Sequence, residues 1–211
     1  MTETSRSAEH PQMPIEDFED LVAAAPEHVR LEFVDGRVRA KDALSVADFE
    51  ELEQRAPETV RLEYISGKLE VKALQDGNHS SIYMWLLRRC MQQRPELGLY
   101  PPSGLRTETS RKGRSRTDGV LARRGHFKGL GEWSDSEGIL MALEITSRDR
   151  DTNERARIDK PIGYAAVGIP VSRPKDGHYR LSTSCPWGTT MELPPPVSIT
   201  LDTEGLKKYA D

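Results

Sequence analysis

The chain has 211 residues, 36% hydrophobic, 30% charged and 6% aromatic, with a formal net charge of −4. That length supports one core of ordinary size without staples, and the negative balance argues against a general nucleic-acid coat while leaving room for a local basic groove. No apolar run approaches a membrane span, and Cys90 and Cys185 lack metal-ligand spacing, so reduced thiols in a cytoplasmic protein are the expectation.

Residues 1–13 are polar and read as a disordered tail, without the apolar stretch of a secretory signal. An internal repeat follows at an offset of 31 residues. Over 17–41 against 48–72, 13 of 25 positions are identical, from Asp17-Phe18-Glu19 on Asp48-Phe49-Glu50 to Val29-Arg30-Leu31-Glu32 on Val60-Arg61-Leu62-Glu63. Each copy reads as a short helix, a Pro break and a β-hairpin turning at Asp35-Gly36 or Ser66-Gly67, where Gly supplies a positive φ. Solenoids need three or more copies, so two copies read as a local duplication. The expected organisation is a tail (1–13), a duplicated helix-hairpin segment (14–44) and a main domain (45–211).

Asn78 can cap a helix running to about Gln93, with Ile82, Trp85, Leu86 and Arg89 on one face. His79 reads there as a residue that begins the helix or packs at its end, since no second His stands at ligand spacing. Leu105–Thr109 reads as a strand, Ser110–Arg116 as a basic turn, and 117–122 and 138–146 as two strands. Asp151-Thr152-Asn153 opens a helical stretch, and Pro161 suits the first turn of a second helix that Gly168 ends. A short strand near Val197–Leu201 and a terminal helix from Thr203 complete the chain.

The chemistry concentrates in Asp118, which opens Thr117-Asp118-Gly119-Val120-Leu121-Ala122, and Glu144, which closes Gly138-Ile139-Leu140-Met141-Ala142-Leu143-Glu144. If the two strands pair antiparallel, the start of one lies beside the end of the other and both carboxylates meet at one sheet edge. An acid inside Leu-Met-Ala-Leu-Glu-Ile is expensive to bury without a partner. Eight Lys or Arg residues lie from Arg106 to Lys128, against two acids, Glu108 and Asp118. Paired carboxylates in basic surroundings suit Mg²⁺, which takes one or two carboxylates plus waters and a substrate phosphate. The carbonyl of Ile145 is a candidate further ligand. Lys160, just before Pro161, is the candidate to stabilise an attacking hydroxide and the developing charge, with helix N-terminal dipoles toward the phosphate. Arg111, Lys112, Arg114 and Arg116 read either as a solvated loop or as a track for a phosphate backbone.

From about Ser45 onward the chain resembles the Uma-two family, within the PD-(D/E)XK restriction-endonuclease-like superfamily. The resemblance rests on Leu62-Glu63-Tyr64-Ile65-Ser66-Gly67-Lys68-Leu69, Gly77-Asn78-His79-Ser80, Thr117 through Ala122, Leu143-Glu144-Ile145-Thr146-Ser147, and Asp159-Lys160-Pro161 through Tyr164 to Gly168-Ile169-Pro170. It implies an α+β (αβ) fold with a central mixed sheet flanked by helices, and DNA cleavage dependent on Mg²⁺ or Mn²⁺. The Asp and Glu motifs carry the metal-holding role onto Asp118 and Glu144. The family's helical Lys falls on Lys160, because Thr146 stands where the superfamily motif expects a Lys. Glu63 matches an acidic position that completes the site, and a homodimer is a further expectation of the resemblance. The chain departs from the pattern at Thr117, in place of Pro. It departs again after Val171, where polar, turn-like Ser172-Arg173-Pro174-Lys175-Asp176-Gly177 replaces an expected apolar strand and part of its hairpin. The alternative readings are therefore a nucleic-acid-binding relative without catalysis, or a degraded member of the family.

Overall fold

The computed structural model describes residues 13–34, 36–72, 75–101, 103–107, 113–146, 160–170, 174–175, 178–179 and 184–209. The chain divides into two compact units, Met1–Ala73 and Leu74–Asp211.

The first unit holds both copies of the repeat. Helix α1 (Ile15–Ala24) precedes the hairpin β1 (Leu31–Val34) and β2 (Arg37–Ala40), and α2 (Val46–Arg55) precedes β3 (Leu62–Ile65) and β4 (Lys68–Val71). The offset seen in the residues reappears in the contacts. Phe18 stacks on Phe33 at 5.1 Å between ring centroids, and the equivalent Phe49 stacks on Tyr64 at 5.6 Å. The amide of Val29 bonds the Pro26 carbonyl as that of Val60 bonds Pro57, and Lys41 bonds Arg30 as Lys72 bonds Arg61. Both hairpins close in the same register, Leu31 opposite Ala40 and Leu62 opposite Val71. In the second, Ser66 and Gly67 both take positive φ, 52° and 82°, the requirement of a two-residue turn that matches strand twist. Met13, at the end of the expected tail, is buried.

The second unit is built around β8 (Gly119–Arg123), which lies between β5 (Leu97–Tyr100) and β10 (Ile139–Leu143), antiparallel to both. Gly119 to Ala122 are all buried, so this short apolar run is a strand covered on both faces. On one face Leu121 joins Leu86 and Cys90 of α3 (Gly77–Gln93), Leu97, Leu99, Met141, and Ile199 and Leu201 of β14 (Ile199–Asp202). On the other, Val120 joins Leu105, Ile139, Ile169 and Tyr164, the last on α4 (Lys160–Ala166). Alternation along one strand thus sets α3 on one side of β8 and α4 on the other.

Strand β6 (Gly104–Thr107) pairs antiparallel with β7 (Gly113–Arg116) and parallel with β9 (Trp133–Ser134), so the sheet is mixed. The basic turn expected over Ser110–Arg116 is corrected here: Gly113-Arg114-Ser115-Arg116 is a buried strand, and 108–112 lie outside the described residues. Its arginines can be buried because partners come with them; Arg116 pairs with Glu132 at 2.7 Å and lies over the Trp133 ring at 4.7 Å. Helix α4 ends as Gly168 predicts. Gly168 takes φ 78°, its amide bonds the Ala165 carbonyl, and the Ile169 amide bonds that of Tyr164, a Schellman closure. The helical stretch expected from Asp151 lies outside the described residues. Beyond Val171 the described residues form a two-residue ladder, β11 (Pro174–Lys175) with β12 (His178–Tyr179). Strand β13 (Thr190–Leu193) pairs with β14, and the expected terminal helix is a 3-10 helix over Thr203–Tyr209.

Candidate active site

Asp118 stands immediately before β8, and Glu144 immediately after β10. Leu143 is the register partner of Gly119, the Asp118 amide bonds the Leu143 carbonyl at 2.9 Å, and the Ile145 amide donates to Asp118 Oδ2 at 2.7 Å. The Asp118 backbone and side chain therefore bond the two residues that flank Glu144, and the acids meet at one end of this strand pair. The backbone ladder stops there because a side chain has replaced a carbonyl as the acceptor of Ile145 N–H. The Ile145 amide is engaged in this way, and its carbonyl as a metal ligand stays an expectation.

Helix α4 brings Lys160 and Tyr164, one helical turn apart, against Glu144. The Lys160 ammonium donates to Glu144 Oε2 at 3.0 Å and to the Arg116 carbonyl at 2.9 Å. The Tyr164 hydroxyl donates to Glu144 Oε1 at 2.5 Å and lies 3.1 Å from Ser115 Oγ. Both carboxylate oxygens of Glu144 are thus bonded from α4. The Lys160 side chain is only 5% exposed and that of Glu144 12%, so each charge needs the other.

Helix α3 supplies the other neighbour of the pair. Its cap, Asp76, accepts the His79 amide at 2.7 Å, which fixes His79 in the first turn. His79 Nε2 then lies 3.2 Å from Asp118 Oδ1. Four residues on, Tyr83 donates its hydroxyl to the Leu99 carbonyl at 2.9 Å, and burial pushes that phenol up to about 12. A Cβ on Gly119 would stand 3.1 Å from the Tyr83 ring and 3.2 Å from the Tyr100 carbonyl, so a glycine after Asp118 is what lets the helix come this close.

The structure brings together Asp118, Glu144, Ile145 and Lys160 of the residues picked out by sequence. It adds Tyr164, in sequence a residue of the family-like segment, and His79, in sequence a helix-start residue. Glu63 lies in the first unit, buried on β3 opposite Glu70, and its role in the site stays an expectation. Arg111 and Lys112 lie outside the described residues. Arg114 and Arg116 are each 8% exposed, with one Arg114 N–H bonded to the adjacent Gly113 carbonyl and Arg116 engaged by Glu132.

A family model described as "Uma2: Putative restriction endonuclease" matches residues 46–172. The chain belongs to the Uma2 family. The match takes in the second copy of the repeat, both carboxylates and Lys160, and leaves the first copy outside. No curated protein and no solved structure matches the chain. Helices with mixed sheets agree with the α+β, restriction-endonuclease-like class of the Uma2 family, whose type of activity is nuclease-like. No helix among the described residues is long and apolar enough to cross a membrane.

Proposed function

We propose that this Uma2 protein is a metal-dependent endonuclease that hydrolyses DNA phosphodiester bonds, with Asp118 and Glu144 holding Mg²⁺ or Mn²⁺. The observation that carries the reading is the junction of these two acids at one strand end, with the Lys160 ammonium on Glu144. Among the described residues no group of three His, Cys, Asp or Glu side chains could hold a metal. Two hard oxygen donors in a partly buried site fit an ion that keeps waters and a substrate phosphate as its other ligands. Such an ion supplies an activated water and neutralises charge on the phosphate.

The protein's own groups do the rest. The Ile145 amide holds Asp118, and Tyr164 with Lys160 holds Glu144, so neither acid has to be ordered when an ion arrives. Lys160 places a positive charge where negative charge grows during phosphoryl displacement. Cutting both strands at one position calls for a second copy, which sedimentation with and without duplex DNA tests.

A second reading, a DNA-binding relative without catalysis, has one observation in its favour: the Glu144 charge is already balanced by Lys160 at 3.0 Å without a cation. Plasmid DNA incubated with the protein in Mg²⁺, Mn²⁺ or EDTA separates the two. Endonuclease action gives nicked or linear product that needs metal and disappears in Glu144→Gln and Asp118→Asn. Salt-sensitive binding without product in any metal would hand the case to the second reading.

A further inference from the structure

We infer that His79 is a positioning residue for Asp118, donating from Nε2 to Oδ1 and setting the orientation in which that carboxylate meets its ion; the inference rests on the metal-dependent reading above. A carboxylate only accepts, so for Nε2, 3.2 Å from Oδ1, to bond it the ring proton must sit on Nε2. The other nitrogen points to the same tautomer. Among the described residues Nδ1 is buried without a hydrogen-bond partner, and a bare lone pair there is less costly than an orphaned N–H. The reverse tautomer would bury an unpaired donor and turn a lone pair against a negative oxygen.

The ring is not a loose surface group. Its side chain is 13% exposed and that of Asp118 6%. Asp76 pins the His79 amide, and Tyr83 ties the next turn of α3 to the Leu99 carbonyl while its ring lies against Gly119. Asp118 is approached from two directions, Oδ2 by the Ile145 amide at the end of β10 and Oδ1 by the His79 ring of α3. Donors that fix a ligating side chain in this way typically change metal affinity by ~10–100-fold when removed.

The test uses the full chain and a readout independent of turnover: binding of Mn²⁺ alone, followed by calorimetry or by loss of the free-ion resonance signal. His79→Phe, which keeps the ring volume and removes the donor, is expected to weaken Mn²⁺ binding tenfold or more (~10–100-fold). His79→Gln, whose amide N–H reaches toward the same oxygen, is expected to recover most of that loss. Unchanged affinity in His79→Phe, with Asp118→Asn abolishing binding, overturns the positioning role and leaves the metal site standing. Wild-type protein that binds no Mn²⁺ sinks the metal reading itself. If His79→Phe fails to fold, the wild-type ring decides: long-range ¹H–¹⁵N correlation is expected to show the proton on Nε2, and a proton on Nδ1 alone refutes the donation.

Discussion

Replacing Lys160 with Met tests whether the ammonium is a working part of the buried network. The substitution keeps length and apolar stem but removes the charge, and with it the bonds to Glu144 at 3.0 Å and the Arg116 carbonyl at 2.9 Å. Because the Glu144 side chain is 12% exposed, water cannot fully replace the lost partner. Breaking a buried pair from one side costs about 3–5 kcal/mol, most of it the stranded charge rather than the lost attraction. For a chain of this size that corresponds to a fall in Tm of roughly 6–20 °C, at 2–4 °C per kcal/mol. Trp85, Trp133 and Trp187 all lie in the second unit, so tryptophan emission during urea unfolding reports on the unit that carries the site. The double variant Lys160→Met with Glu144→Leu is expected to regain much of the loss, since an apolar pair strands no charge. A Lys160→Met protein within about 1 kcal/mol of wild type would refute the reasoning, because surface ion pairs, not buried ones, have that size.

Gly119→Ala puts a methyl 3.1 Å from the Tyr83 ring and 3.2 Å from the Tyr100 carbonyl, and a backbone carbonyl yields poorly. The expected loss is about 1–3 kcal/mol by urea unfolding, as for other overpacked sites; an unchanged midpoint and unchanged Mn²⁺ binding would show that the strands separate freely there. In the first unit, hydrogen bonds from His28 and then from Ser45 draw the Asp48 carboxyl down from 3.8 to about 2. A carboxyl lowered by folding stabilises the folded state above its unfolded value and loses that contribution as pH falls through the folded value. The contribution should therefore fade between about pH 4 and pH 2 and, with a quarter of the side chain exposed, stay under about 1 kcal/mol. Carboxyl carbon titration by NMR checks it: a midpoint at the ordinary 3.8, or no rise in His28→Ala, contradicts the assignment.

The parts of the fold that were legible in sequence are those where one local rule decides. A 31-residue offset became two helix-hairpins with the same stacked ring pair, because residues identical at the turn, the Pro break and the apolar positions repeat the same local choices. Gly168 closed a helix because few residues other than glycine adopt its φ of 78° without strain. The antiparallel meeting of Asp118 with Glu144 followed from strand direction alone. Sequence reading failed where polar residues are buried by partners far along the chain. Gly113-Arg114-Ser115-Arg116 has the composition of a solvated turn, and partners supplied from elsewhere in the chain, among them the β6 ladder, Glu132 and Trp133, make it a strand. The twins Glu32 and Glu63 differ in the same way, half-buried in one copy and 2% exposed in the other, a distinction set by surroundings that identical local sequence does not encode.

That same distance in sequence explains why no local pattern marks His79 and Tyr164 as neighbours of the two acids. Each occupies an ordinary helical position, and each acquires chemistry only because successive residues of β8 face opposite ways, Leu121 toward α3 and Val120 toward α4. The strand therefore positions the two helices through its apolar residues and presents Asp118 at its start, beside Glu144. Packing and site geometry are then one constraint: a change that slides α3 over Leu121 moves His79 from Asp118, and one that slides α4 over Val120 moves Lys160 and Tyr164 from Glu144. A core substitution such as Leu121→Ala should accordingly disturb the carboxylate pair in proportion to the helix displacement it allows.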